Sequence, residues 1–592
     1  MSFIHILTNN FFVLKFIAKK QPILLCGQIF AAVGSSLTAF ITSTLMLRFV
    51  LNRIQEKDNF FTVVIVISVC LLVHSIVAFL VAQYHDKIFP ICYQKLLNTL
   101  RKIMYKKAQG VDLDCYENPE YYNTLNKAIS ESSNQLGRTL NTIGGAINVL
   151  IGFSANYALI LEIDPVLSLF ILLPVICTFI TIFQNKLSHK KDMELEEETH
   201  QKGYVQRVFF HSEYAKEMRL TNMYTLMFER FKNSSTHIVK TLRKYGFSLA
   251  VIDYLKSECL ELICPLGATL YAVWKMLEYG TIGYGDCVVV VTAISISAES
   301  LVEVVNTALT FQKNALYIEE MRKFLEHRVD LVDGNIPVPE NGDIVLEHVS
   351  FKYRNAHEYA LKDICLKIGQ NEKVAIVGHN GAGKTTLVKL LLRLYDADGK
   401  ITYGGIDIRN FNKMKYRNLF SVVLQETKLF ALTIKDNVLR RPSQGTDIEL
   451  VTSAIEQSGF KEKCSSFPSG VETVISKEFD NNGVVLSGGE QQKLAIAHVF
   501  SKKNNFVILD EPSSALDPVA EHELFIRMNN SCKDCGVILI SHRLSSVVNA
   551  DKIYVMEKGS IIESGTHDSL LKQNGVYATM FSRQAVNYKE RS

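Results

Sequence analysis

The chain has 592 residues, too many for one hydrophobic core, so two or more domains are expected. Its 64 basic and 60 acidic residues leave a net charge of +4, which argues neither for nor against a nucleic-acid partner. Twelve cysteines are scattered without the regular spacing of a disulfide framework; the one close pair, Cys532 and Cys535, lacks the second ligand pair that a zinc site needs.

The apolar residues are unevenly placed. The opening FIHILTNNFFVLKFIAKK carries Lys15, Lys19 and Lys20 after its apolar residues, the reverse of a cleaved signal, and predicts an amphipathic segment on a membrane surface. Crossing a bilayer takes about 20 mostly apolar residues in a helix. Six stretches meet this demand: 22–47, 60–82, 140–161, 165–183, 255–275 and 287–309, the fifth being the least apolar. The segments 85–139 and 184–245 are rich in Lys and Arg, whereas the turn around Glu162, Asp164 and Pro165 has no basic residue. Positive loops stay inside, which places both long loops and both termini in the cytoplasm. Charge mixed with apolar residues at helical spacing predicts that the spans continue as helices beyond the bilayer. Aromatic and acidic residues gather in DCYENPEYYNTL (114–125) and YVQRVFFHSEYAKE (204–217), predicting surfaces that dock a cytosolic domain.

Two acidic pairs lie inside the last two spans. Glu258 and Glu261 are three apart and Glu299 and Glu303 four apart, so each pair shares a helix face. Carboxylates at such depth are costly and face a wet cavity or a partner. They are candidate contacts for cationic cargo; the competing reading is neutralisation by Lys256 or a place at the cytosolic interface.

Helical spacing stops in HRVDLVDGNIPVPENGD, where Pro337, Pro339 and Gly342 interrupt the chain. The expected plan is a membrane domain over 1–326, a linker over 327–342 and an α/β domain over 343–592. In the last, VAIVG (374–378) has a buried-strand pattern and TLVKLLLRLY (386–395) a helical one. Between them GHNGAGKT matches the phosphate-binding loop in its required strand–loop–helix setting. Glycines there let backbone N–H groups approach phosphates. Lys384 is placed to reach the β and γ phosphates of ATP, and Thr385 to offer its hydroxyl to Mg²⁺. FVILDEP (506–512) ends a strand on two carboxylates, Asp510 for Mg²⁺ and Glu511 to polarise the attacking water. VILISH (537–542) brings His542 to the γ-phosphate. LSGGEQ (486–491) is a second anion-binding helix start, and the residues alone leave open whether it serves the same domain.

Taken in order over roughly 343–585, these motifs resemble a complete ATP-binding cassette. The resemblance implies that Tyr353 in VSFKYRN stacks on adenine and that Gln425 in VVLQETKLF joins the nucleotide and Mg²⁺ site to the membrane domain. It also assigns nucleotide contacts to Gly378, Asn380, Gly381, Gly383, Lys384, Thr385 and Thr386, and to the signature Ser487, Gly488, Gly489 and Glu490. Asp517 closes the SSALD segment after Glu511, the expected catalytic base, and His542 matches the switch histidine. Glu490 stands where Gln is commoner, and Asp480, Asn481 and Asn482 occupy positions where exporters usually carry a Glu, with Glu478 or Asp480 as substitutes.

In that family the signature of one cassette closes over the phosphate loop of another. One cassette and one membrane domain per chain therefore imply pairing with a second half-transporter, a homodimer being favoured. Six spans before a cassette resemble the α-helical membrane domain of type IV ABC exporters, embedded in membrane lipid and working by alternating access. LDEPSSALDPVAEHELF and CYENPEYYN are similar to half-transporters that export lantibiotics and related peptides, without a peptidase domain. Lipid or hydrophobic-drug export, and siderophore import on the same fold, are the alternatives; no nucleic-acid partner is expected.

Overall fold

Among the described residues of the computed structural model, six helices are long and apolar enough to cross a membrane: Pro22–Gln55, Phe60–Gly110, Asn134–Ile163, Pro165–Phe210, Met223–Tyr279 and Tyr284–Glu326. The structure describes all residues except 1, 58, 328–330, 355, 426, 445–446, 513–522, 524–525, 529–533 and 590–592. Each helix contains one of the expected spans and most run well past it, the second to Gly110 and the fourth to Phe210. The fifth has the lowest mean hydropathy of the six. The described chain divides into two units, residues 1–109 with 120–327 and residues 110–119 with 328–592. The ten residues 110–119 thus cluster with the cassette, whereas the sequence reading placed them in the membrane domain.

In the first unit, apolar side chains of the second helix such as Leu72 and Phe79 are exposed, as lipid-facing residues must be. The last two helices pack closely. Cys264, Ala268 and Ala272 of the fifth meet Ala293, Ile294 and Ala298 of the sixth, all fully buried. Small side chains allow this close approach without a hydrophobic drive from water. The short turn between the third and fourth helices is held by Asp164, which accepts from the Val166 amide at 2.9 Å and lies 3.0 Å from Lys275 Nζ. The amino-terminal helix Phe3–Lys20 buries Val13 and Ile17. Asn9 and Asn10 donate to the carbonyls of Ala315 and Phe311, tying that helix to the sixth.

The described residues of the second unit form two sheets. An antiparallel sheet has the order β2-β1-β4-β5, with β1 Ile344–Phe351, β2 Leu361–Ile368, β4 Asp398–Tyr403 and β5 Ile406–Asp407. The larger sheet runs β10-β9-β3-β8-β7-β6, from β3 Lys373–Gly378, β6 Phe420–Val423, β7 Phe506–Asp510, β8 Gly536–Ile540, β9 Lys552–Glu557 and β10 Ser560–Gly565. Within it β6, β7, β8, β3 and β9 are parallel. Strands covered on both faces read as continuous apolar runs, and FVILD of β7 is buried throughout. Ligands of such sheets bind beyond the carboxyl ends of the strands.

Candidate functional site: a phosphate-binding cleft in the cassette

The loop after β3 is shaped by glycine. Gly381 and Gly383 have φ of +82° and +100°, a region L-residues avoid. A Cβ on Gly383 would meet the Ala360 carbonyl oxygen at 2.8 Å. The helix Lys384–Leu391 starts directly after, so its free N–H groups face the loop. Lys384 is 7% exposed, and its Nζ donates to the carbonyls of Gly378 and His379 at 2.9 and 3.1 Å. Burial lowers its pKa, against the raising influence of Glu511 and Asp510. A desolvated cation at the start of this helix, beside its free N–H groups, suits a polyphosphate, whose charge restores what burial removes.

Two strands away, β7 ends on Asp510, buried to 2% exposure. Burial raises its pKa and the Glu511 carboxylate adds to this, opposed by the Thr385 hydrogen bond and by Lys384. The Thr385 hydroxyl is 3.3 Å from Asp510 Oδ2. A buried carboxylate beside a hydroxyl is the oxygen-donor chemistry Mg²⁺ requires. Glu511 follows at φ +50°, strained for a non-glycine residue, with its amide donating to the Ile540 carbonyl at 2.9 Å. This turn aims its carboxylate between two neighbours: Gln425 Nε2 donates to Oε2 at 3.0 Å, and His542 Nδ1 lies 3.3 Å from Oε1.

One cleft of about 430 Å³ brings together Asn380, Gly381, Gly383, Lys384, Thr385, Thr386, Gln425, Glu511 and His542. Gly378 lines an adjoining cavity with His542. Tyr353 stands beside the cleft, its hydroxyl 3.1 Å from Thr386 Oγ1 and its ring 5.4 Å from Lys389 Nζ. Ser487, Gly488, Gly489 and Glu490 do not line the cleft. They open the helix Gly488–Phe500, where Ser487 Oγ accepts from the Glu490 amide and Glu490 accepts from the Ser487 amide at 2.8 Å. Glu490 also pairs with Lys463 at 3.0 Å, a reason for a carboxylate where Gln is commoner. Upstream, Asp480 closes its own turn by accepting from the Asn482 amide at 2.9 Å, while the Glu478 amide bonds Ser476 Oγ. Asp517 and Cys532 fall outside the described residues.

The sequence reading missed two glutamines that hold the catalytic backbone. Gln492 Nε2 donates to the Glu511 carbonyl at 3.3 Å. Gln584, in the carboxy-terminal helix Val576–Lys589, donates to the His542 carbonyl at 2.6 Å and accepts from the Leu544 amide at 2.8 Å. No spacing rule connects residue 584 to residue 542. Of the four acidic residues in the spans, Glu299 and Glu303 line a second cavity in the first unit; Glu258 and Glu261 do not. Lys256 pairs with Asp253 at 2.9 Å.

The ABC transporter family model matches residues 361–514. Over 367 residues the chain is 33% identical to heavy metal tolerance factor 1 of Caenorhabditis elegans, covering 61% of this chain and 45% of that protein. It is 29% identical to the subtilin transport ATP-binding protein SpaT of Bacillus subtilis over 499 residues, 82% of this chain and 80% of that one. The fold superposes on a bacterial Atm1-family ABC exporter with ATP bound at a TM-score of 0.78 and 21% identity, covering 95% of this chain and 98% of the other. Phosphate loop, paired carboxylates, six apolar helices and these matches agree: residues 361–514 carry an ABC transporter domain, and the chain is similar in sequence and in fold to ABC exporters.

Proposed function

We propose that the chain is one half of an ATP-driven exporter that moves a peptide out of the cytoplasm by alternating access. The observation that carries the hydrolytic part is the Glu511 carboxylate held between Gln425 and His542 at the mouth of the phosphate loop. In this reading Glu511 orients water and takes its proton, and His542 holds the γ-phosphate end while fixing Glu511. Lys384 and the loop amides carry the phosphate charge. Thr385, Asp510 and Gln425 would hold Mg²⁺, which when bound would neutralise charge on the phosphate oxygens.

The signature lies off the cleft of its own chain, which supports completion of the site by a second copy. Both hydrolytic carboxylates are present, so two identical chains suffice. Lysine- and arginine-rich loops support a cytoplasmic cassette. The peptide assignment rests on similarity to the subtilin transport protein along most of both chains. The competing cargo is a lipid or hydrophobic drug, which an apolar cavity would favour.

The test is ATP turnover by the purified chain alone in lipid nanodiscs, with Glu511→Gln beside it. Robust turnover lost in the variant supports the reading. Equal residual turnover in both, in samples that bind nucleotide, contradicts it.

A further inference from the structure

The cavity of the first unit has a volume of about 510 Å³, within the range of small-molecule sites. It lies among the first, third and sixth membrane helices. Ser35, Ser36 and Ser43 face it from the first, Asn148 and Asn156 from the third, and Ser300 with the two glutamates from the sixth. Among the described residues that line it, none is basic. Among the described residues neither Glu299 nor Glu303 makes an ion pair; Glu303 accepts only from Asn306 Nδ2, at 3.1 Å. Lys256, a candidate neutralising group, is engaged with Asp253.

The hydroxyls sharpen this into a preference for one sign of charge. Ser35 donates its proton to the Ala31 carbonyl at 2.7 Å, Ser43 to Ala39 at 2.6 Å, and Ser36 to Asn148 Oδ1. Asn156 Nδ2 gives one of its two protons to the Gly152 carbonyl at 2.8 Å. With those protons turned inward, lone pairs are what the serines offer the cavity, next to two carboxylates. Ser300 is 9% exposed, lines the cavity, and has no hydrogen-bond partner among the described residues. Its Oγ, open to the cavity, offers a further acceptor there. An ammonium group has three donors and no acceptor, whereas a phosphate is all acceptor.

We propose that this cavity binds an organic ammonium group of the cargo, such as a lysine side chain or a free amino terminus, and disfavours phosphate-bearing lipid headgroups. Glu299 and Glu303 supply the charge, and Ser300 with the first-helix serines supplies acceptors. The proposal rests on the exporter reading above and names the cargo class for it. Glu258 and Glu261 take no part.

The experiment uses the full chain in zwitterionic-lipid nanodiscs, with no ATP. Trilysine amide carrying a neutral fluorophore on its amino terminus and the side-chain-acetylated counterpart, which then has no ammonium group, are titrated, and empty nanodiscs give the background. Acetylation removes the charge and nearly keeps the shape. The wild type is expected to bind trilysine and to bind the acetylated peptide at least about tenfold more weakly, the scale of a charge-assisted hydrogen bond. Glu299→Gln with Glu303→Gln should lose a similar factor. Glu299→Asp with Glu303→Asp should keep most of the binding, which separates lost charge from lost fold. Glu258→Gln with Glu261→Gln should match the wild type. No binding by the wild type, equal affinity for both peptides, or equal losses in the two neutralised pairs would each overturn the proposal. ATP turnover is read on the same samples without peptide. Its absence counts against the exporter reading, and binding is scored independently of it.

Discussion

At the scale of single residues, the site is a set of groups held where an isolated chain would not put them. Glu511 sits at φ +50° because its amide bonds Ile540 and its carbonyl accepts from Gln492, so the strained turn is fastened on both sides. Replacing Glu511 by Gln keeps shape and hydrogen-bonding capacity while removing the base. Turnover should fall by about 100-fold or more with nucleotide binding retained, as measured by single-turnover assays. Glu490 makes a different kind of contribution. The Ser487 amide, reinforced by Lys463, holds its carboxylate below the ordinary range despite some burial. A carboxylate with a depressed folded pKa stabilises the native state above its unfolded value, ~4.3. That stabilisation is lost as pH falls through the lower folded value. Glu490→Ala should therefore weaken the signature helix by about 1 kcal/mol at neutral pH, and by progressively less below pH ~4. Hydrogen exchange over 487–500 reads both; a difference independent of pH would contradict the assignment to the ionised cap.

At the scale of elements, the phosphate loop, its carboxylate strand and the switch histidine are legible in sequence because each is local. VAIVG, the glycine loop and TLVKLLLRLY declare strand, turn and helix within a few turns of chain. The spans are equally local, since about 20 apolar residues suffice to mark one. What sequence reading could not supply is pairing at a distance, such as Gln584 with His542 or Lys463 with Glu490. The clearest case is residues 110–119, grouped with the cassette by long-range contacts that no periodicity announces. Leu113 packs against the cassette core, and Glu117 lies 2.8 Å from Lys389 Nζ and 2.6 Å from the Tyr395 hydroxyl. Lys389 in turn covers the rings of Tyr353 and Tyr395. Glu117→Ala strips a partner from the largely buried Tyr395 hydroxyl and should cost about 1–3 kcal/mol locally. In a double-mutant cycle by hydrogen exchange over 384–396, Tyr395→Phe should recover part of that loss. Strict additivity would show that the two groups do not interact.

At the scale of the whole molecule, the central claim is that hydrolysis belongs to a pair of these chains. Within one cassette the phosphate loop and the signature helix serve different places: the first lines the cleft and the second does not. A cleft with one wall of anion-binding groups leaves a nucleotide open on its other side, and in the proposed pair the N-terminus of Gly488–Phe500 from the second chain would be the matching wall. The measurement that tests this most directly is ATP turnover by mixed pairs of Lys384→Ala and Gly489→Asp chains, isolated through two different tags. In a pair joined head to tail, both defects fall in one composite site and the other site is sound. Each variant alone should be inactive and the mixed pair should regain a clear part of wild-type turnover. Mixed pairs as inactive as either variant would contradict a site shared between two copies of this chain.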